Sequence, residues 1–144
     1  MLAENEAAIK TFIAGQAQGE QPAQPTILFV GGLPPSYIPT IIVLVEPLAE
    51  SISHETLVAA KIESFQAAGT SFRQVQRLDT TIDGRQTTVI EYIANLGGTP
   101  RHDVVAFFME DGVVWSVTAA ALQQNYKQYL NDQYLIARSL RIDN

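Results

Sequence analysis

The sequence predicts an α+β fold in which an antiparallel β-meander is flanked by helices, and three observations carry that reading. Two Asp-Gly pairs, Asp83-Gly84 and Asp111-Gly112, each stand between strand-forming residues, and Asp-Gly suits the positive φ angles of a two-residue hairpin turn. Around them the chain reads as strands over Arg85–Asn95, His102–Glu110 and Val113–Ala120, with a fourth entering over Phe72–Thr81. Helical spacing brackets the meander on both sides, from His54 to Ala68 and from about Ala121 to Arg138.

At the N-terminus, Ala8, Ile9, Phe12 and Ile13 sit at helical spacing within Glu4–Ala14. That is enough for a short amphipathic helix, packed on its own domain or serving as an arm that docks on a second copy. Gly15–Pro25 is rich in Gln, Gly and Pro without periodicity and reads as a linker, so the folded domain is expected over residues 26–144. Thr26–Val30 is a short first strand stopped at Gly31-Gly32, and Leu33-Pro34-Pro35 cannot continue a central strand. Tyr37–Glu46 is the most apolar stretch, and its β-branched residues favour a strand covered on both faces, ended by Pro47.

Ser53 stands where an N-cap should, Glu55 lies in the first turn, and Val58, Ile62 and Phe65 follow at i, i+4 and i+7 before Gly69. In the meander, Val89, Glu91 and Ile93 oppose Ile90 and Tyr92, and Val113, Trp115 and Val117 oppose Val114, Ser116 and Thr118. Neither face is wholly polar. Helices on one face, with a partner, a ligand or the N-terminal arm on the other, would account for that. Leu122, Tyr126, Leu130 and Ala137 mark the final helix, predicted to be the longest of the chain.

Composition narrows the function classes. A length of 144 residues with 47% hydrophobic content suits one domain with an ordinary core, and a formal net charge of −6 argues against a nucleic-acid surface. The absence of cysteine removes disulfides, thiolate chemistry and zinc–thiolate sites, and leaves the redox compartment open. Met1–Gly15 carries no basic region followed by a long apolar one, and no stretch approaches the roughly 18 apolar residues of a membrane span. The chain therefore reads as soluble, cytoplasmic as written or the mature part of an exported protein.

No residue set amounts to a chemical signature. A nucleophile elbow, Walker loop, dinucleotide fingerprint, HExxH helix and EF-hand loop are all missing, so no catalytic residue, metal site or cofactor is predicted. His54 is expected to be a solvated residue in a first helical turn. His102 belongs to Arg101-His102-Asp103, after the loop Leu96–Pro100, where a base, a cation and a carboxylate share one strand end. Alternation points His102 and Asp103 to opposite faces, which argues against a dyad between them; an ordinary polar strand start is the plain alternative. Glu91 lies between the apolar Val89 and Ile93, a setting that raises a carboxylate pKa, unless it pairs with Arg73, Arg85 or Arg101 across the sheet. Trp115, the only tryptophan, with Phe107, Phe108, Tyr92 and Tyr37, either lines a pocket or fills the core. The binding candidates are therefore Glu91, Trp115, His102, Arg101 and Tyr92.

Taken in order, the elements resemble the PsbP-like fold, shared by the extrinsic P subunit of photosystem II, the Mog family of Ran-binding proteins and small bacterial proteins and lipoproteins. The features that carry the resemblance are Asp83-Gly84, Asp111-Gly112 leading into Val113–Ala119, and the ending from Tyr134 to Ile142, together spanning about Thr26–Ile142. The resemblance implies an α/β/α sandwich and a binding or assembly role, of which a bacterial accessory protein looks nearest. It implies no site residues, and neither eukaryotic role is transferred.

Two functional readings follow. One is a non-catalytic interaction domain that holds a protein partner, with homo-oligomerisation through the N-terminal helix as a further possibility. The other is a small-molecule binder or enzyme of the cone-shaped, nuclear-transport-factor-like type, whose pocket would hold Trp115, Glu91 and His102. That type places its long helices before the meander, whereas here the longest predicted helix follows it, which counts against this reading. Burial of Glu91 separates the two: if Glu91 and His102 face one closed cavity within hydrogen-bond reach of a common point, the pocket reading gains, and if Glu91 pairs with an arginine on an open sheet, it fails.

Overall fold

In the computed structural model of the chain, residues 26–32, 40–68, 70–96, 98–124 and 126–140 are described. The helix expected over Glu4–Ala14, its linker and Tyr37 lie outside them. Six strands, β1 (Thr26–Gly32), β2 (Thr40–Pro47), β3 (Thr70–Ile82), β4 (Arg85–Leu96), β5 (Thr99–Glu110) and β6 (Val113–Leu122), form one sheet. Its order is β1-β2-β6-β5-β4-β3, and every neighbouring pair is antiparallel. Helix α1 (His54–Ala68) carries the chain from β2 to β3, and α2 (Tyr126–Ala137) follows the meander.

Both Asp-Gly turns form as expected. Asp83 and Gly84 have φ of 54° and 78°, and Asp111 and Gly112 have 50° and 77°. Positive φ at both central residues is what a two-residue hairpin needs to match the twist of its strands. These turns close Ile82 onto Arg85 and Glu110 onto Val113. A third tight turn stands where a longer loop was expected: Leu96 pairs directly with Thr99, and Gly98 takes φ 83°. Strand β5 accordingly starts at Thr99, before His102.

The two helices lie on opposite faces, because chain neighbours in the strands belong to different cores. Leu57 and Val58 of α1 pack with Ile90, Val105 and Phe107, whereas Leu130, Tyr134 and Ala137 of α2 pack with Val89, Val104 and Ala106. Alternation sends each such neighbour pair to opposite sides. Each face takes one helix, which is the α/β/α sandwich that the resemblance implies and differs from helices gathered on one side with another cover on the other. The α1 side also stacks Phe65 on Tyr92, with ring centroids 5.0 Å apart.

Three further expectations change. Helix α1 has the expected bounds, capped by Ser53, whose Oγ accepts the Thr56 N–H at 3.1 Å. The final helix, however, begins only at Tyr126, because Ala121 and Leu122 still pair with His102 and Arg101 on β5. Helix α1, at 15 residues against 12, is therefore the longer, and the helix-order argument against a cone-shaped pocket falls away. Strand β2 is less covered than expected: Val45 is buried, but Ile41, Ile42, Val43 and Leu44 are half-buried, and β1 is the only described strand beyond it.

Candidate functional site

Glu91 on β4 and His102 on β5 meet on the α2 face. Glu91 pairs with Val104 and His102 with Ile93, so the two are diagonal neighbours with side chains on the same side of the sheet. His102 Nε2 lies 2.6 Å from Glu91 Oε2, and both residues are buried, at 2% and 5% exposure. Helix α2 completes the cluster from above. Tyr134 donates its hydroxyl to Glu91 Oε1 at 2.6 Å, and the Tyr126 ring lies flat on the imidazole, with centroids 3.8 Å apart and planes 4° from parallel. His102 Nδ1 faces Gln123 Oε1 at 3.2 Å. Gln133 donates to the main-chain carbonyls of His102 and Ala119 at 2.9 and 2.8 Å, which ties the helix to β5 and β6 together. Burial, reinforced by the bond to Glu91, pushes the Tyr134 phenol above its ordinary pKa, so it stays a donor at neutral pH.

Glu91 thus pairs with neither Arg73, Arg85 nor Arg101, the partners expected for it. Arg85 binds Glu110 and Asp83 at the hairpin end, and Arg101 lies on the opposite face. There Tyr92 donates to Asp103 Oδ2 at 3.1 Å, and Arg101 Nε stands 3.5 Å from Asp103 Oδ1. Those two atoms are buried without a hydrogen bond of ordinary length. Burial raises the Asp103 carboxyl above its ordinary pKa against the opposing pull of Arg101 and Tyr92, and burial first and Asp103 second raise the Tyr92 phenol. The expected separation of His102 from Asp103 holds.

The sign of the Asp103 effect can be measured. Burial makes the folded state prefer the neutral acid, so the carboxyl costs nothing at acid pH, where both states are protonated. Its cost grows as pH rises past the unfolded value near 3.8 towards the raised folded one. Asp103→Asn keeps an acceptor for Tyr92 and removes that cost. Urea titrations from about pH 4 to neutral should show the variant gaining stability relative to the parent as pH rises. A gap that shrinks instead would mean that Arg101 outweighs burial.

The five binding candidates are thus divided by the sheet. Glu91 and His102 come together; Trp115 shares their face but packs with Val45, Phe108 and Val113 beside Leu140. Tyr92 and Arg101 face α1. Two groups escaped the sequence reading. Tyr126 was legible only as part of the stripe of the final helix, and Gln133 and Tyr134 lay within that predicted helix with no site role assigned. His54, expected in solvent, is buried at 8% exposure, with Nε2 2.7 Å from Thr88 Oγ1. Thr88 in turn donates to Asp79 Oδ1 at 2.7 Å and, as the first cause, holds that carboxyl below its ordinary pKa. The sequence signal for His54 was its place in the first turn of an amphipathic helix, whose start lies over the sheet.

An open trough of about 780 Å³ runs between α2 and the end of the β3–β4 hairpin, lined by residues that include Ile82, Asn131, Tyr134 and Leu135. Of the buried cluster only Tyr134 borders it, and its hydroxyl is turned inward to Glu91.

No protein-family description and no curated protein matches this sequence. Solved structures do match. A Pseudomonas aeruginosa protein of unknown function, PA94, described as a candidate regulator, superposes with a TM-score of 0.65 at 16% identity over 86% of each chain. Cyanobacterial PsbP from Synechocystis superposes at 0.58 with 12% identity, covering 85% of this chain and 84% of its own. LpqN of Mycobacterium tuberculosis, a protein involved in cell envelope biogenesis, superposes at 0.54 with 16% identity, covering 83% and 78%. At such identities the likeness is one of architecture.

Proposed function

We propose that this chain, whose fold is PsbP-like, is a non-catalytic interaction domain, an accessory module that holds a protein partner. The single observation behind this reading is the closure of the Glu91–His102 cluster. A general acid or base needs a hydrogen-bond direction left open to substrate. Here the two Glu91 oxygens are taken by His102 and Tyr134, the two His102 nitrogens by Glu91 and Gln123, and one ring face by Tyr126. The trough beside α2 does not reach the pair. A pocket enzyme of the cone-shaped type would need α2 to leave the sheet before Glu91 met a ligand.

The test is photo-cross-linking in the cells the protein comes from, with a benzophenone side chain placed in turn at the exposed positions Gln66, Gln74 and Gln128. The expected result is a discrete adduct with one protein, unchanged when Glu91→Gln is introduced. Absence of any protein adduct, together with a small molecule that copurifies with the parent and is lost from Glu91→Gln, would replace this reading with the pocket one.

A further inference from the structure

Strand β3 is an outer strand of the sheet, with no described strand beyond it. Its first half is irregular, with register shifts against β4 between Thr70 and Arg73 and between Gln74 and Gln76. From Gln76, opposite Glu91, to Ile82, opposite Arg85, the ladder is regular. Over that stretch alternate N–H and C=O groups point away from β4, as on any regular edge. Edge strands are usually blunted by lysine, proline or outward charge, and β3 contains neither lysine nor proline. Its charges in the regular half, Arg77 and Asp79, lie on the α1 face, where Arg77 pairs with Asp79 and Glu55. The α2 face of the same stretch carries Gln76, Leu78, Thr80 and Ile82, none of them charged.

Beside this uncharged edge lies the open trough, with Ile82 and Asp83 on the strand side and Leu135, Asn131 and Arg138 on the helix side, so that its floor is apolar at Ile82 and Leu135 and charged at one end. Leu135 is 70% exposed and Val75, next to the regular half, is 42% exposed. An unpaired ladder demands a partner of strand geometry, and a trough on one face of it accepts every second side chain of that strand.

We propose that the Gln76–Ile82 edge of β3 and the adjoining trough form a strand-addition site for an extended peptide segment of the partner, with apolar side chains at alternate positions seated against Leu135 and Ile82. The proposal rests on the reading of the chain as an interaction domain. Main-chain hydrogen bonds would supply the pairing and the trough the sequence preference.

Selection of random linear peptides on the full chain tests it. The expected binders have apolar residues at every second position and slow amide exchange within Gln76–Ile82. N-methylating one set of alternate amides in such a peptide should weaken it by about tenfold or more, the other set having little effect, and Leu135→Glu should weaken it about as much. Leu135 is exposed, so that variant is expected to keep the parent's unfolding midpoint. Failure to enrich any binder, binding indifferent to both changes, or protection elsewhere would overturn the site. Concentration-dependent dimers that Leu135→Glu abolishes would assign the edge to a second copy, and binding that appears only in a chain starting at Thr26 would assign it to the chain's own N-terminal segment; either result overturns the peptide. A cross-linked protein partner that ignores Leu135→Glu would leave the interaction reading standing and sink this site alone.

Discussion

Glu91→Ala is expected to destabilise the fold by about 2–5 kcal/mol, the cost of one buried polar group left without its partner together with a second hydrogen bond lost. The magnitude follows from what the carboxylate serves. Its loss strands His102 Nε2, buried under α2, at about 1–3 kcal/mol for an unsatisfied buried group, and takes from the half-buried Tyr134 its short hydrogen bond. His102→Ala should cost a comparable amount, because it leaves the Glu91 carboxylate with Tyr134 alone and removes the ring on which Tyr126 lies. The two effects should not add. In a double-mutant cycle read by urea unfolding, the double variant should be more stable than the sum predicts by about 1–3 kcal/mol. Purely additive costs, or single costs below about 1 kcal/mol, would mean that the pair does not hold α2 to the sheet.

Phe107→Ala is expected to have an effect of the same size, about 3–5 kcal/mol, through a different mechanism. Phe107 is fully buried at 0% exposure on β5, which is flanked by β4 and β6, and its ring lies beside His54 and the α1 residues Leu57 and Val58. A strand paired on both sides cannot move to fill the space an absent ring leaves, so the cavity term adds to the lost burial. The drop should appear as a lowered urea midpoint with little change in slope. Recovery of most of the loss in Phe107→Leu would fit a filled volume, whereas equal losses in both variants would point to a ring-specific contact with His54.

These two residues mark how far local reading reaches. Phe107 was legible as one of several aromatic residues that either line a pocket or fill the core, without a face assigned to it. His102 and Glu91 could each be singled out as polar residues in apolar surroundings, but not as partners. Their meeting depends on the β4–β5 register, which a tight turn at Gly98 sets in place of the longer loop expected over Leu96–Pro100. With that register, Glu91 lies one diagonal step from His102; no local preference of either residue encodes it. The same register fixes Arg101 beside Tyr92 on the far face.

Helix ends divide along similar lines. Ser53 announced the start of α1 because an N-cap is a contact between residues three apart. The end of β6 was misplaced because Ala121 and Leu122 favour a helix locally, yet remain extended to complete the ladder with β5. Propensity is a weak prior, and a neighbouring strand overrides it.

By itself the sequence determined the features that rest on contacts between near neighbours: both Asp-Gly turns, the alternation of the meander, the cap and bounds of α1, and through their order the PsbP-like architecture. Only the tertiary structure decided which face each helix covers, that Glu91 closes on His102 beneath Tyr126 and Tyr134, that His54 is buried on Thr88, and that β3 is left as an edge beside a trough. Each of these joins residues far apart in the chain, and their approach is set by register and layer packing, which no short window of sequence contains.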